Sequence, residues 1–141
     1  MKRLMYVSLI AIILMLSSCT KKYDINMDCE YTVYEFDYSK ETIEFKREFI
    51  QPAHKEAILS ATRAIEYADS LLQSESDEKI VDTGLNDDYE IINISFDSTK
   101  NIWMVSYGKK SPDEHTVIVG GGCSIAFKAQ NGEVLAVWSG E

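Results

Sequence analysis

The sequence predicts an α+β domain in which one long N-terminal helix packs on a curved antiparallel sheet of four to five strands. Three observations predict it: a helical apolar stripe from Pro52 to Gln73, runs of alternating or β-rich residues after position 79, and an Asn131-Gly132 hairpin signal near the end. A helix followed by a strand meander buries its stripe by lying across one face of the sheet.

The helix is the strongest periodic signal. Pro52 suits a first helical position, and Ala53, Ala57, Ile58, Ala61, Ala64, Ile65, Ala68, Leu71 and Leu72 recur at steps of three and four. With alanine at five of these positions, the axis can approach the sheet closely, while Lys55, Glu56, Arg63, Glu66 and Asp69 form a solvated back. Ser74 to Glu78 has no periodicity and ends the helix. Ile80-Val81 reads as a short strand. Tyr89 to Phe96 places Ile92, Ile94 and Phe96 on one face, and Asp97 to Asn101 supplies a turn. Ile102 to Tyr107 places Trp103, Val105 and Tyr107 on one face, and mid-strand Trp103 is expected in the core. A polar loop from Lys109 to His115 leads to Thr116–Val119, and Gly120-Gly121-Gly122 permits a bulge or bend before Cys123, Ile125 and Phe127. Asn131-Gly132 is expected to turn with both residues at positive φ, feeding a last strand from Glu133 to Trp138.

The N-terminal third divides differently. Lys2 and Arg3 precede an apolar run from Leu4 to Leu16, then Leu16-Ser17-Ser18-Cys19. The run is shorter than the about 20 apolar residues a spanning helix needs, and its small-residue box fits the cleavage site of a bacterial lipoprotein signal. The expected organisation is a signal peptide over 1–18, a tether and arm over 19–51 and the α+β domain over 52–141. Cys19 is the expected lipid attachment site, its acyl chains (palmitate and the like) anchoring the protein in the membrane. Residues 20 to about 30 are polar and read as a tether holding the domain off the bilayer. Thr32, Tyr34, Phe36 and Tyr38 alternate with Val33, Glu35 and Asp37, a period-two arm expected to pack on the domain; Ile43, Phe45 and Phe49 continue it or begin a helix. Lys21 and Lys22 after Thr20 lack the acidic run associated with surface display, so the expected location is the outer membrane, facing the periplasm.

Charge narrows the partners. The full chain carries a formal -9; without Lys2 and Arg3, 12 basic residues face 23 acidic ones, or about -11. Such a body repels the phosphates that supply most nucleic-acid affinity, so no nucleic-acid partner is expected, and a basic protein suits it better. The same surface also serves solubility. In an oxidising envelope Cys29 and Cys123 can form a disulfide, the alternative being two buried free thiols, and spacing alone leaves both open. Neither cysteine has the histidine and acid of a nucleophile, and His54 and His115 lie in polar settings.

Together, the helix, Asn101-Ile102-Trp103-Met104-Val105, the glycine step into Ser124-Ile125-Ala126-Phe127-Lys128 and the closing Asn131-Gly132-Glu133-Val134-Leu135 resemble a family of small bacterial immunity proteins. The resemblance covers roughly residues 52 to 138. It implies a cone-shaped fold similar to nuclear transport factor 2 or cystatin, and a non-catalytic protein that binds and neutralises a toxin. The triple glycine with Cys123 departs from the family's double-glycine pattern. The lipid signal departs from cytoplasmic members and points to a toxin acting in the cell envelope.

The same fold carries isomerases and dehydratases, but here the inward positions are apolar or aromatic, and no catalytic residue, cofactor or metal is expected. Asp113, Glu114 and His115 share one loop, whereas divalent sites draw ligands from several elements. The glycine run lacks the Lys-Ser/Thr and helix of a phosphate loop. The alternatives are a PepSY-type envelope interaction domain, supported by the final hairpin, or a small-ligand-binding lipoprotein. For a protein partner, the candidate contacts are Tyr107, Lys109, Asp113, Glu114 and Trp138, with the acids Asp82, Asp87 and Asp88.

Overall fold

A computed structural model describes residues 22–39, 56–72, 89–113, 116, 118 and 121–139. Cys19 and the signal segment, the Ile43–Phe49 stretch, Pro52 to Lys55, the loop after the helix, Ile80-Val81, Asp82, Asp87, Asp88, Glu114 and His115 lie outside the described residues. In chain order the elements are β1 (Val33–Glu35), α1 (Ala61–Leu72), β2 (Tyr89–Asp97), β3 (Ile102–Lys109), β4 (Cys123–Lys128) and β5 (Val134–Ser139). The strands form one sheet in the order β1-β2-β3-β4-β5.

This is an α+β domain with a five-stranded open sheet, but the sheet is mixed. β2 to β5 are an antiparallel meander as expected, whereas β1 runs parallel to β2, pairing Val33 with Ile94 and Glu35 with Phe96. Side chains fix this placement beyond β1. Glu35 Oε1 accepts from the Ser98 N–H and hydroxyl (2.9 and 2.7 Å), and Asp97 Oδ2 accepts from the Tyr38 N–H (2.8 Å). The Lys100 ammonium reaches both Asp37 and the Tyr38 carbonyl. The arm is thus tied to the β2–β3 turn across some 60 positions of sequence.

The helix is shorter than its periodicity predicts. Glu56 to Ser60 are not helical; among them Ile58 is buried, but from outside the helix. The Ile58 N–H donates to the Ala129 carbonyl (2.6 Å), and the Ile58 carbonyl accepts from Trp103 Nε1 (2.9 Å), so neither group is available to a helical ladder. Ser60 instead caps α1, its Oγ accepting from the Arg63 N–H (3.3 Å). A second cap comes from the arm: Asp28 Oδ1 accepts from the Thr62 N–H (3.2 Å) and the Asp28 carbonyl from Thr62 Oγ1 (2.7 Å). A carboxylate there also complements the positive end of the helix. Ala61, Ala64, Ala68 and Leu71 form the buried face.

That face meets Ile94, Phe96, Trp103, Val105, Tyr107, Ile125, Phe127, Val134 and Val137 from four strands. The Phe96 and Trp103 rings pack 4.6 Å apart, and Tyr67 meets Phe127 edge-on at 5.0 Å. A smaller cluster of Tyr38, Ile102 and Ala126, joined by Phe36, Leu135 and Trp138, forms a second apolar group.

Three local expectations change. A bulge between Ile91 and Asn93 turns Ile92 outward, 62% exposed, while Ile91 takes its place against the core. Asn131 does not take positive φ; Gly132 alone does (67°), in a longer loop closed by Gly132 N–H to Lys128 carbonyl and Lys128 N–H to Glu133 carbonyl bonds (both 2.9 Å). No strand covers Thr116 or Ile118. The segment expected as a free tether is also docked from Ile25 onward. Ile25, Cys29 and Tyr31 pack on the core, and the Asn26 N–H and carbonyl pair with Leu59 and Ala61 (2.9 and 2.8 Å).

Candidate functional site

The molecule has two dissimilar ends. At one, the β2–β3 and β4–β5 turns lie together, joined by the Ala129 N–H to Asn101 carbonyl bond (2.9 Å), and the Asn26–Ser60 bridge adjoins them through Ile58. The other end is built from the start of β2, the end of β3, the β3–β4 connection and the start of β4, where Tyr89 pairs with Lys109 and Tyr107 with Cys123.

Those predicted contacts that are among the described residues, Tyr107, Lys109, Asp113 and Trp138, lie at or near this second end. Lys109 is exposed at the end of β3, and Asp113 follows in the connection. Local bonds shape this connection: the Ser111 hydroxyl sits against the Asp113 and Thr116 carbonyls (2.5 and 2.6 Å), and Thr116 Oγ1 donates to the Asp113 carboxylate (2.9 Å). Trp138 pairs with Ser124 one residue in from the rim, half-buried in the smaller apolar cluster. Ser124 Oγ in turn meets Ser106 Oγ at 2.7 Å.

Tyr107 is not a surface residue. It is 4% exposed, and its hydroxyl donates to Asp69 Oδ1 on α1 (2.7 Å), so it fastens helix to sheet beneath the rim instead of facing a partner. Burial, and then the neighbouring Asp69 carboxylate, push its phenol far above the ordinary tyrosine range. Of the two alternatives for Cys29 and Cys123, the structure has them unbonded to each other: Cys29 Sγ donates to the Tyr31 carbonyl (3.2 Å), and Cys123 is buried in the main core.

The rim also contains groups that the strand pattern did not reveal. Tyr31 packs at the core edge with its phenol raised by burial, then by Glu30, Glu90 and Asp69. Three carboxylates from the arm, β2 and α1 therefore surround one side of this end. The helical period places Asp69 on the solvated back of the helix; the signal for its inward bond is Tyr107, an inward strand position whose hydroxyl requires a partner. Among the described residues, no three His, Cys, Asp or Glu side chains gather to hold a metal ion.

A separate groove of about 280 Å³ runs beside α1, lined in part by Ile58, Arg63, Glu66, Tyr67 and Ser70. Its polar side chains engage the chain itself: Arg63 with Glu66 (3.6 Å), Tyr67 Oη with the Gly132 carbonyl (2.7 Å) and Ser70 Oγ with the Tyr67 carbonyl (2.6 Å). Burial pushes the Tyr67 phenol up to about 12.

No protein-family model matches the chain, and no curated protein or solved structure is significantly similar to it.

Proposed function

We propose that the protein is a lipid-anchored, non-catalytic binding protein of the cell envelope, acting as an immunity protein that captures a toxin arriving there. The observation that carries the reading is the filled space between helix and sheet. Trp103, Val105, Ile125 and Phe127 are all fully buried there, so the region where such a fold would hold a small substrate is occupied by side chains. Binding then falls to the surface. The rim of Glu30, Glu90, Lys109 and Asp113 is polar, carried by the arm, two strand ends and one connection, and supported beneath by the Tyr107–Asp69 bond. Its acids suit a partner with a basic face, which they would steer into contact. The Leu16-Ser17-Ser18-Cys19 box supplies the address.

The test is protection. The full chain, co-produced with the product of an adjacent toxin-like gene, is expected to restore growth when that toxin is sent to the periplasm, and the purified pair to elute as one complex. A Glu90→Lys, Asp113→Lys variant that folds normally is expected to weaken the complex. Absence of protection and of a complex for every adjacent candidate would remove the immunity reading.

A further inference from the structure

The docked start of the arm has a geometric consequence for a chain anchored at Cys19. Ile25 already packs on the core, and Asn26 is bonded to Leu59 and Ala61. Only Thr20 to Asp24 separate Cys19 from Ile25. Fully extended, that link reaches about 20 Å. A link so short leaves little freedom in which end of the domain meets the bilayer.

The end it selects is apolar in the right place. Met27 (47% exposed) and Leu59 (40% exposed) are two of the four large apolar side chains that stand exposed among the described residues. They flank the same Asn26–Ser60 bridge, because the Asn26 N–H donates to the Leu59 carbonyl. Lys22 is exposed just before them. An apolar pair beside a cation, next to an acyl anchor, matches the chemistry of the headgroup boundary. The pair need not supply affinity, because the anchor already holds it at high effective concentration beside the membrane.

We propose that Met27 and Leu59 form a membrane-seating face that docks the turn end of the domain on the bilayer bearing the Cys19 lipid. The opposite rim, with Glu30, Glu90, Lys109 and Asp113, then projects into the aqueous space. β3 alone, eight residues long, sets the two ends about 25 Å apart. This inference rests on the lipid anchor in the proposed function and adds an orientation to it.

The test uses the full chain purified from membranes and reconstituted in vesicles of phosphatidylethanolamine and phosphatidylglycerol. The photoreactive residue p-benzoylphenylalanine is placed singly at position 27, 59 or 111. Positions 27, 59 and 111 are exposed, so the core is untouched. Mass spectrometry of the N-terminal peptide first reports whether Cys19 carries acyl chains. With the lipid present, phospholipid adducts are expected several-fold more often at 27 and 59 than at 111. Equal yields at the three positions, or an excess at 111, would overturn the orientation while leaving the anchor intact. An unmodified Cys19 and failure to float with vesicles would overturn both the anchor and the orientation.

Discussion

Asp97 is the side chain on which the junction of arm and sheet depends most. It is 1% exposed, and its carboxylate accepts from the N–H groups of Tyr38, Thr99 and Lys100 and lies 3.5 Å from the Lys100 ammonium. Burial raises its pKa, but the Tyr38, Lys100 and Thr99 N–H groups and the Lys100 charge outweigh burial and leave it below the usual carboxylate range. A lowered folded pKa gives stability that is present above the unfolded value and lost as pH falls through the folded one. Asp97→Ala should therefore cost about 2–4 kcal/mol at pH 7, because it strands the buried Tyr38 N–H and the part-buried Thr99 and Lys100 N–H groups. Urea unfolding at a series of pH values should show that deficit shrinking on acidification below the ordinary aspartate range. Tyr107→Phe removes only the bond to Asp69 and should cost about 1 kcal/mol. In the folded wild type, ultraviolet titration should find Tyr107 and Tyr67 still protonated where exposed tyrosines have ionised.

At the scale of elements, close approaches and caps decide what the chain tolerates. A Cβ on Gly122 would lie 2.7 Å from the Tyr107 carbonyl oxygen, where neighbouring strand backbone leaves no room. Gly122→Ala should destabilise by about 1–3 kcal/mol by shifting β4 from β3, seen as faster amide exchange along that pair. Ser60→Ala and Asp28→Ala each remove a helix cap and should each cost about 1 kcal/mol, read from thermal unfolding. Much of this level was legible. The Ala61, Ala64, Ala68, Leu71 stripe and the inward Trp103, Val105, Tyr107 triplet are buried as their spacing predicts. The helix start was not, because Ala57 and Ile58 continue the period while the bonds that hold Ile58 outside the helix come from Trp103 and Ala129, distant in sequence. Ile92 was misassigned because a bulge shifts every side chain before it to the other face and leaves no mark on the alternation. The strand character of Val33–Glu35 was visible, but its partner and direction were not, since a period of two says nothing about which edge a strand joins. At the rim, Lys109 and Asp113 were found as exposed polar residues, whereas Glu30 and Asp69 depend on how arm and helix cross.

For the whole molecule, the arm is part of the domain and not an appendage to it. Ile25, Cys29, Tyr31 and Val33 all pack on the main core. A chain shortened to begin at Asp24 should unfold cooperatively with the stability of the longer form. One shortened to begin at Lys40 loses β1, the Asp28 cap and the Tyr38–Asp97 bond, and should lose about 4 kcal/mol or more from a total of about 5–15 kcal/mol. Denaturant titration of the two lengths, followed by tryptophan emission, checks this directly. The same integration gives the molecule a defined polarity, with the start of the arm docked at the turn end and the charged rim at the other.

The parallel pairing of β1 with β2 also sets the order of events as the chain is made. Val33–Glu35 emerges early, yet its partner Ile94–Phe96 and the Ser98 and Lys100 groups that fasten it follow some 60 residues later. Closing a loop of that length is an entropic cost that local contacts do not offset, and contacts so distant in sequence slow folding. β1 therefore waits, unpaired, until most of the chain exists. For the exported lipoprotein proposed above, such a delay would favour passage through a translocation channel, which admits a chain only before it folds.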